Sequence, residues 1–242
     1  MKSFLQQIAD NLIGNYPNLD DLILVLPSKR AGTILRTTLA KTANKTVFSP
    51  TIYSIEQFVE HLSQLEVANP TEQLFTLYEA YLTTDTKQKD SFANFSKWGQ
   101  TLLQDFNEID RYLINTKDIF SYLADIQEIT HWSLQKEKSE IINNYIEFWN
   151  GLEALYHSFY DLLKEKNLGH QGLIYRTACE RLKEYIHKTV QKTHIFIGFN
   201  ALNAAESFII QEILAHGKAD IFWDSDPYFL DDPIHDAGHF IR

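Results

Sequence analysis

The chain has 242 residues, 44% hydrophobic and 22% charged, which is ordinary for a globular protein and enough to bury the core of one large domain or of a domain with an insertion. Its 22 Lys and Arg against 32 Asp and Glu give a formal charge of −10, which argues against the segment alone gripping a phosphodiester backbone, though not against a local basic patch. The single cysteine, Cys179, excludes an intrachain disulfide framework. With no signal-peptide pattern and no run of membrane-span length, it points to the reducing cytoplasm and to no membrane partner.

In chain order, residues 3–15 read as an amphipathic helix with Phe4, Leu5, Ile8, Leu12 and Ile13 on one face. A turn at Pro17 leads into Leu22–Leu26, an unbroken branched apolar run too short for a helix and suited to a strand buried on both faces. Pro27 ends it, Ser28 caps a helix over Lys29–Ala43, and Lys45–Ser54 gives a second extended run through Val47, Phe48, Ile52 and Tyr53. Ser54 caps a helix with Ile55, Phe58, Val59 and Leu62 facing inward.

From Thr71 the pattern is helical, over Thr71–Leu82, Phe92–Tyr112, Ile119–Ile126, Glu137–Lys166 and Gly172–Lys188, with no buried strand between Glu56 and Val190. Strands resume at Thr193–Phe199 and Ala219–Asp224, separated by a helix over Ala201–His216 that Gly217 ends. A last helix begins at His235 and stops at Arg242 without a cap, so a longer parent chain is expected. The predicted fold is therefore α/β: a parallel sheet built from residues 1–64 and 191–242, with an all-helical insertion over 65–190.

In parallel α/β sheets ligands bind beyond the carboxyl ends of the strands, which places Ser28, Lys29 and Arg30 as candidates for contacting DNA or another anion. A P-loop is absent, since Gly32 stands alone and no Gly-Lys-Thr occurs. The His194–Ile197 strand runs into Gly198 and Phe199 where a Walker B strand would end in carboxylates, so Glu206 is read as a first-turn residue and not a catalytic one, with Asn200 and Asn203 as turn and cap residues. No catalytic residue is assigned. Asp224, Asp226, Asp231, Asp232, His235 and His239 cluster, and the i, i+4 histidines offer a metal site with Asp224 or Asp226 as the alternative to a solvated acidic turn. Cys179 is read as a packed thiol among Ile174, Ala178 and Leu182. Trp98, Phe106, Tyr112, Trp132, Trp149 and Phe159 are read mostly as core or interface rather than base-stacking residues.

Six segments together resemble the N-terminal part of AddB-like PD-(D/E)XK nuclease family proteins, helicase–nuclease-type chains linked to recombinational DNA repair. They are Leu24–Gly32 (LVLPSKRAG), Ser49–Phe58 (SPTIYSIEQF), Trp98–Leu113 (WGQTLLQDFNEIDRYL), Gly172–Arg176 (GLIYR), Gly198–Leu202 (GFNAL) and Trp223–Pro227 with the following Asp232-Pro-Ile-His235. The resemblance implies a P-loop-NTPase-like core similar to domain 1A of superfamily 1 helicases, with a 1B-like helical insertion and degenerate ATP motifs. It also implies DNA as a partner through the full-length protein, a helicase–nuclease partner subunit, and docking to C-terminal domains of the same chain. The family's nuclease motif, for which Mg²⁺ is expected, is not present in this sequence, and neither Walker motif maps onto any of its residues. The alternatives from other classes are a metal-assisted phosphoesterase using the Asp224–His239 cluster and a protein-interaction scaffold.

Overall fold

The computed structural model describes residues 2–44, 46–84, 89–123 and 140–231. The chain divides into two compact units, Met1–Ser63 with Thr177–Arg242, and Gln64–Arg176.

The first unit is built on a four-stranded, all-parallel sheet in the order β2 (Thr51–Ser54), β1 (Leu22–Leu26), β5 (Thr193–Ile197), β6 (Lys218–Phe222). Its central strand β1 (Leu22–Leu26) is buried at all five positions, because helices cover both faces. Leu22, Leu24 and Leu26 alternate onto one face with Ile195 and Ile197 of β5 (Thr193–Ile197). There they pack against Ile8, Ala9 and Leu12 of α1 (Phe4–Asn15) and Leu35 and Leu39 of α2 (Lys29–Thr42). On the other face Phe58 of α3 (Ile55–Ser63) meets Phe196 edge-on, with ring centroids 6.3 Å apart, and lies 5.7 Å from Tyr185.

The helices start where local capping chemistry allows. Ser3 and Ser28 accept the N–H groups of Gln6 and Ala31, and Ser54 and Gln57 exchange hydrogen bonds reciprocally at the head of α3. Glycine is required at Gly198, where β5 leaves the sheet with φ +71° and a Cβ would press on the Phe4 ring.

Edge strand β2 is Thr51–Ser54, paired in register from Ile23↔Thr51 to Leu26↔Ser54. The extended run expected from Lys45 is shorter than the pattern predicts: Thr46 to Pro50 carries no strand pairing, and Phe48 is 81% exposed, so its apolar character is not a burial signal. The opposite edge, β6 (Lys218–Phe222), follows α9 (Ala204–His216), which begins three residues later than the pattern suggests because Asn203 is the cap.

The second unit is helical, with α4 (Pro70–Thr83), α5 (Phe92–Arg111), helical residues 116–123 (α6) and α7 (Glu140–Glu165). Its core is aromatic: Phe106 lies edge-on to Tyr156 at 5.2 Å and to Phe120 at 6.0 Å, and Phe159 stacks on His170 at 5.7 Å. It is not wholly without strands. Two residues of β3 (Glu66–Val67) pair in parallel with two of β4 (Leu168–Gly169), a contact too short to leave a hydrophobic period.

The boundary between the two units falls inside α8 (Gln171–Lys188), between Arg176 and Thr177. Arg181 donates to the Ser63 carbonyl at 2.8 Å and the Tyr185 hydroxyl bonds His194 at 2.8 Å, which ties the last turns of α8 to the sheet. The helix expected over His235–Arg242, and Trp132, lie outside the described residues. Among those described, no helix is long and apolar enough to cross a membrane.

Candidate functional site

At the carboxyl end of β1 the backbone turns sharply because Pro27 stops the ladder and Ser28 takes an extended conformation, φ −148°, ψ 153°. Its hydroxyl accepts the Ala31 N–H at 3.2 Å, which begins α2 and leaves Lys29 and Arg30 in an exposed first turn. Gly32, buried one turn along, brings α2 close to β2: a Cβ there would sit 3.1 Å from the Ile52 side chain.

This close approach forms a cleft of about 160 Å³ between α2, β2 and α3, lined by Lys29, Thr33 and Arg36 on one side and Tyr53, Ser54 and Gln57 on the other. Lys29, Thr33 and Arg36 share a helix face at i, i+4 and i+7. The predicted trio is therefore split. Lys29 lines the cleft, Arg30 does not, and Ser28 is committed to capping. Arg36, Tyr53, Ser54 and Gln57 are cleft residues that reading the β1 exit alone misses.

Donor groups dominate the cleft. Ser54 is 2% exposed; its oxygen accepts the Gln57 N–H at 3.3 Å, and its hydroxyl proton has no acceptor among the described residues. Gln57 spends its side-chain oxygen on the Ser54 N–H at 3.1 Å, leaving the amide NH₂ without a bond among the described residues. None of Lys29, Arg30 and Arg36 forms an ion pair among the described residues. Tyr53 stacks on His61 at 5.4 Å, and burial raises the Tyr53 hydroxyl pKa.

A sequence signal for this patch exists. Residues 22–55 contain five of the 22 Lys and Arg, four of them on α2 (Lys29, Arg30, Arg36 and Lys41), and none of the 32 Asp and Glu. In a chain of net charge −10 that segregation marks a positive flank on an acidic molecule.

The other predicted residues fall elsewhere. Glu206 completes a capping box: its carboxylate accepts the Asn203 N–H at 3.1 Å while the Asn203 side chain accepts the Glu206 N–H at 2.8 Å. Asp224 and Asp226 are exposed, and Asp226 caps the next turn by accepting the Tyr228 N–H at 2.9 Å. Asp232, His235 and His239 lie outside the described residues, and among the described residues no group of three or more His, Cys, Asp or Glu is placed to hold a metal. Cys179 is half-buried, its Sγ 3.8 Å from the Ala205 carbonyl. Of the aromatics, Phe106 and Phe159 are core, whereas Tyr112 is exposed.

Within the helical unit lies a buried polar cluster that pattern reading does not find. Asp110, on α5, is fully buried and accepts from the Tyr156 hydroxyl and from Arg176 Nε. The Arg176 Nη2 also donates to the carbonyls of Ile109 and Ile114, at 2.9 and 2.7 Å. His170 Nδ1 accepts the Leu173 N–H at 3.2 Å, so the neutral ring carries its proton on Nε2, which faces Asp110 Oδ2 at 3.3 Å. Burial first, then the Arg176 charge, lowers His170 to about 3. Burial and the Asp110 carboxylate push the Tyr156 hydroxyl above its usual range. Because its members are bonded to one another across three helices, this cluster braces α5, α7 and α8. It brings the segments Trp98–Leu113 and Gly172–Arg176 together in space: Asp110 pairs with Arg176, and Asn107 accepts the Gly172 N–H at 2.7 Å.

No protein-family model matches the chain, and no curated protein matches it significantly.

Proposed function

We propose that this chain is a non-catalytic, helicase-like module of a DNA-repair helicase–nuclease, serving DNA guidance and the docking of neighbouring domains or a partner subunit. One observation carries the reading. Where a parallel nucleotide-hydrolysing sheet keeps its phosphate loop, β1 here leads into a capped helix with exposed cations, unpaired among the described residues, and no glycine cradle. The strand beside it, β5, runs into Gly198 and Phe199 without a carboxylate, and the next acid along the sequence, Glu206, takes part in a helix cap. Cation without catalyst suits a surface that holds a phosphate backbone and does not cleave it.

The six segments that resemble AddB-like proteins support the same assignment, and the buried pairing of Asp110 with Arg176 brings two of them together in space. In this reading the nuclease chemistry and its Mg²⁺ belong to parts of the parent protein outside this sequence.

The test is fluorescence anisotropy of labelled single-stranded DNA over a range of salt concentrations, with ATP titrated in parallel. The chain is expected to bind DNA and not ATP. The double variant K29A/R30A is expected to weaken DNA binding and to make the slope of log K against log salt shallower by roughly 1.4, about 0.7 for each lost phosphate contact on a single strand. Unchanged DNA affinity in the variant, or ATP binding by the wild type, overturns the proposal.

A further inference from the structure

Beside edge strand β2 the sheet unit carries two adjacent depressions that share one side chain. One is the donor-rich cleft of about 160 Å³. The other is a groove of about 310 Å³ lined by Leu19, Leu39, Ala43, Val47 and Pro50, and Arg36 borders both. We propose that this flank holds one nucleotide unit, its phosphate in the cleft and its base in the groove.

The cleft defines the anion. Lys29 supplies a point charge, Arg36 a planar fork, Ser54 a hydroxyl proton without an acceptor among the described residues, and Gln57 an amide NH₂. Among the described residues no carboxylate lines either depression to oppose a charged oxygen there. A group with several oxygens around one centre satisfies donors converging from α2, β2 and α3, as phosphate does.

The groove defines what is joined to it. Its lining is aliphatic apart from Arg36, Thr46 and Ser49, and its volume sits at the lower end for small-molecule sites, enough for one flat ring. Because Arg36 borders both spaces, a ring and a phosphate joined through a sugar can occupy them together, with the guanidinium available to both. The site lies on the β1–β2 side of the sheet, away from the β1–β5 boundary where strand order reverses and where such sheets ordinarily take nucleotides. The inference does not depend on the helicase-like reading, with which it shares only Lys29. A free mononucleotide and an unpaired base of a single strand present the same chemistry; a duplex, whose bases stay stacked, offers only the phosphate.

The experiment titrates the 242-residue chain with thymidine monophosphate and deoxyribose phosphate, and separately with a labelled oligothymidylate and its abasic counterpart. At least one base-bearing ligand is expected to bind roughly tenfold tighter than its baseless partner, and which pair shows the difference identifies the source. R36A is expected to cost roughly tenfold for that ligand. A40W, at an exposed groove position, is expected to remove the advantage of the base while leaving the baseless ligand's affinity unchanged. Circular dichroism of both variants checks that they fold. Equal affinity with and without the base, no detectable binding of any of the four, or insensitivity to R36A overturns the proposal. The first of these, together with salt-dependent DNA binding that K29A/R30A weakens, leaves the helicase-like reading standing while this one fails.

Discussion

Asp110 shows how much one residue can fix. A fully buried carboxylate is tolerated because Arg176, Tyr156 and His170 converge on it, and each of those is held in turn by packing or by a second bond. Removing the arginine leaves the charge uncompensated, whereas removing the tyrosine hydroxyl deletes one of several donors. R176A is therefore expected to cost about 3 kcal/mol, the low end for breaking a buried pair because Arg176 is 18% exposed, and Y156F about 1 kcal/mol. Urea unfolding followed by circular dichroism checks both. Equal losses for the two variants would show that Arg176 is not the compensating charge.

Among the elements, α2 is the one whose two faces have separate tasks. Leu35 and Leu39 seal the sheet, while Lys29, Thr33 and Arg36 line the cleft. Its Gly32 sets the spacing to β2, and a second glycine does the same for the helical unit. Gly172, at the start of α8, sits so near α5 that a Cβ would lie 2.2 Å from the Asn107 carbonyl oxygen, a backbone atom that cannot swing aside. G172A is expected to destabilise by about 3 kcal/mol through overpacking, enough to lower the unfolding midpoint in the same urea assay. An unchanged midpoint would mean that α5 and α8 separate freely. At the head of α9 the reciprocal Asn203–Glu206 bonds occupy the very acid that the pattern places near a Walker B position.

Across the whole molecule, each unit buries one neutral histidine among the described residues, His194 in the sheet and His170 in the helical part. Burial lowers His194 to about 4, and burial with the Arg176 charge lowers His170 to about 3, both below the ordinary 6.5. Between those values the unfolded chain takes up protons that the folded chain refuses. Their contribution is therefore complete above pH 6.5 and is lost as pH falls toward 4 for His194 and toward 3 for His170. From pH 7.5 to 5, stability is expected to drop by roughly 2 kcal/mol per histidine, before most carboxylates protonate. In H194Q the drop in the sheet unit should disappear. Denaturant melts at several pH values measure it, and an H194Q profile parallel to wild type would exclude this origin. The charge distribution is also a property of the whole chain, since a basic flank stands out only against 32 acidic residues placed outside residues 22–55.

The sequence by itself determined the elements and the class of fold. Periods of two and 3.6, the Ser28, Ser54 and Asn203 caps and the apolar Leu22–Leu26 run are local chemistry, readable without knowing what lies opposite. Phe48 marks the limit of that reading, because an apolar side chain in an extended segment looks alike whether it is covered or 81% exposed. Only the tertiary structure decided the strand order β2-β1-β5-β6, the pairing of Glu66–Val67 with Leu168–Gly169, and the meeting of Asp110 with Arg176. The same holds for the cleft, which joins Lys29 and Arg36 to Tyr53, Ser54 and Gln57 and leaves Arg30 outside. Those outcomes depend on distances between residues far apart in the chain, which packing sets and no local period encodes.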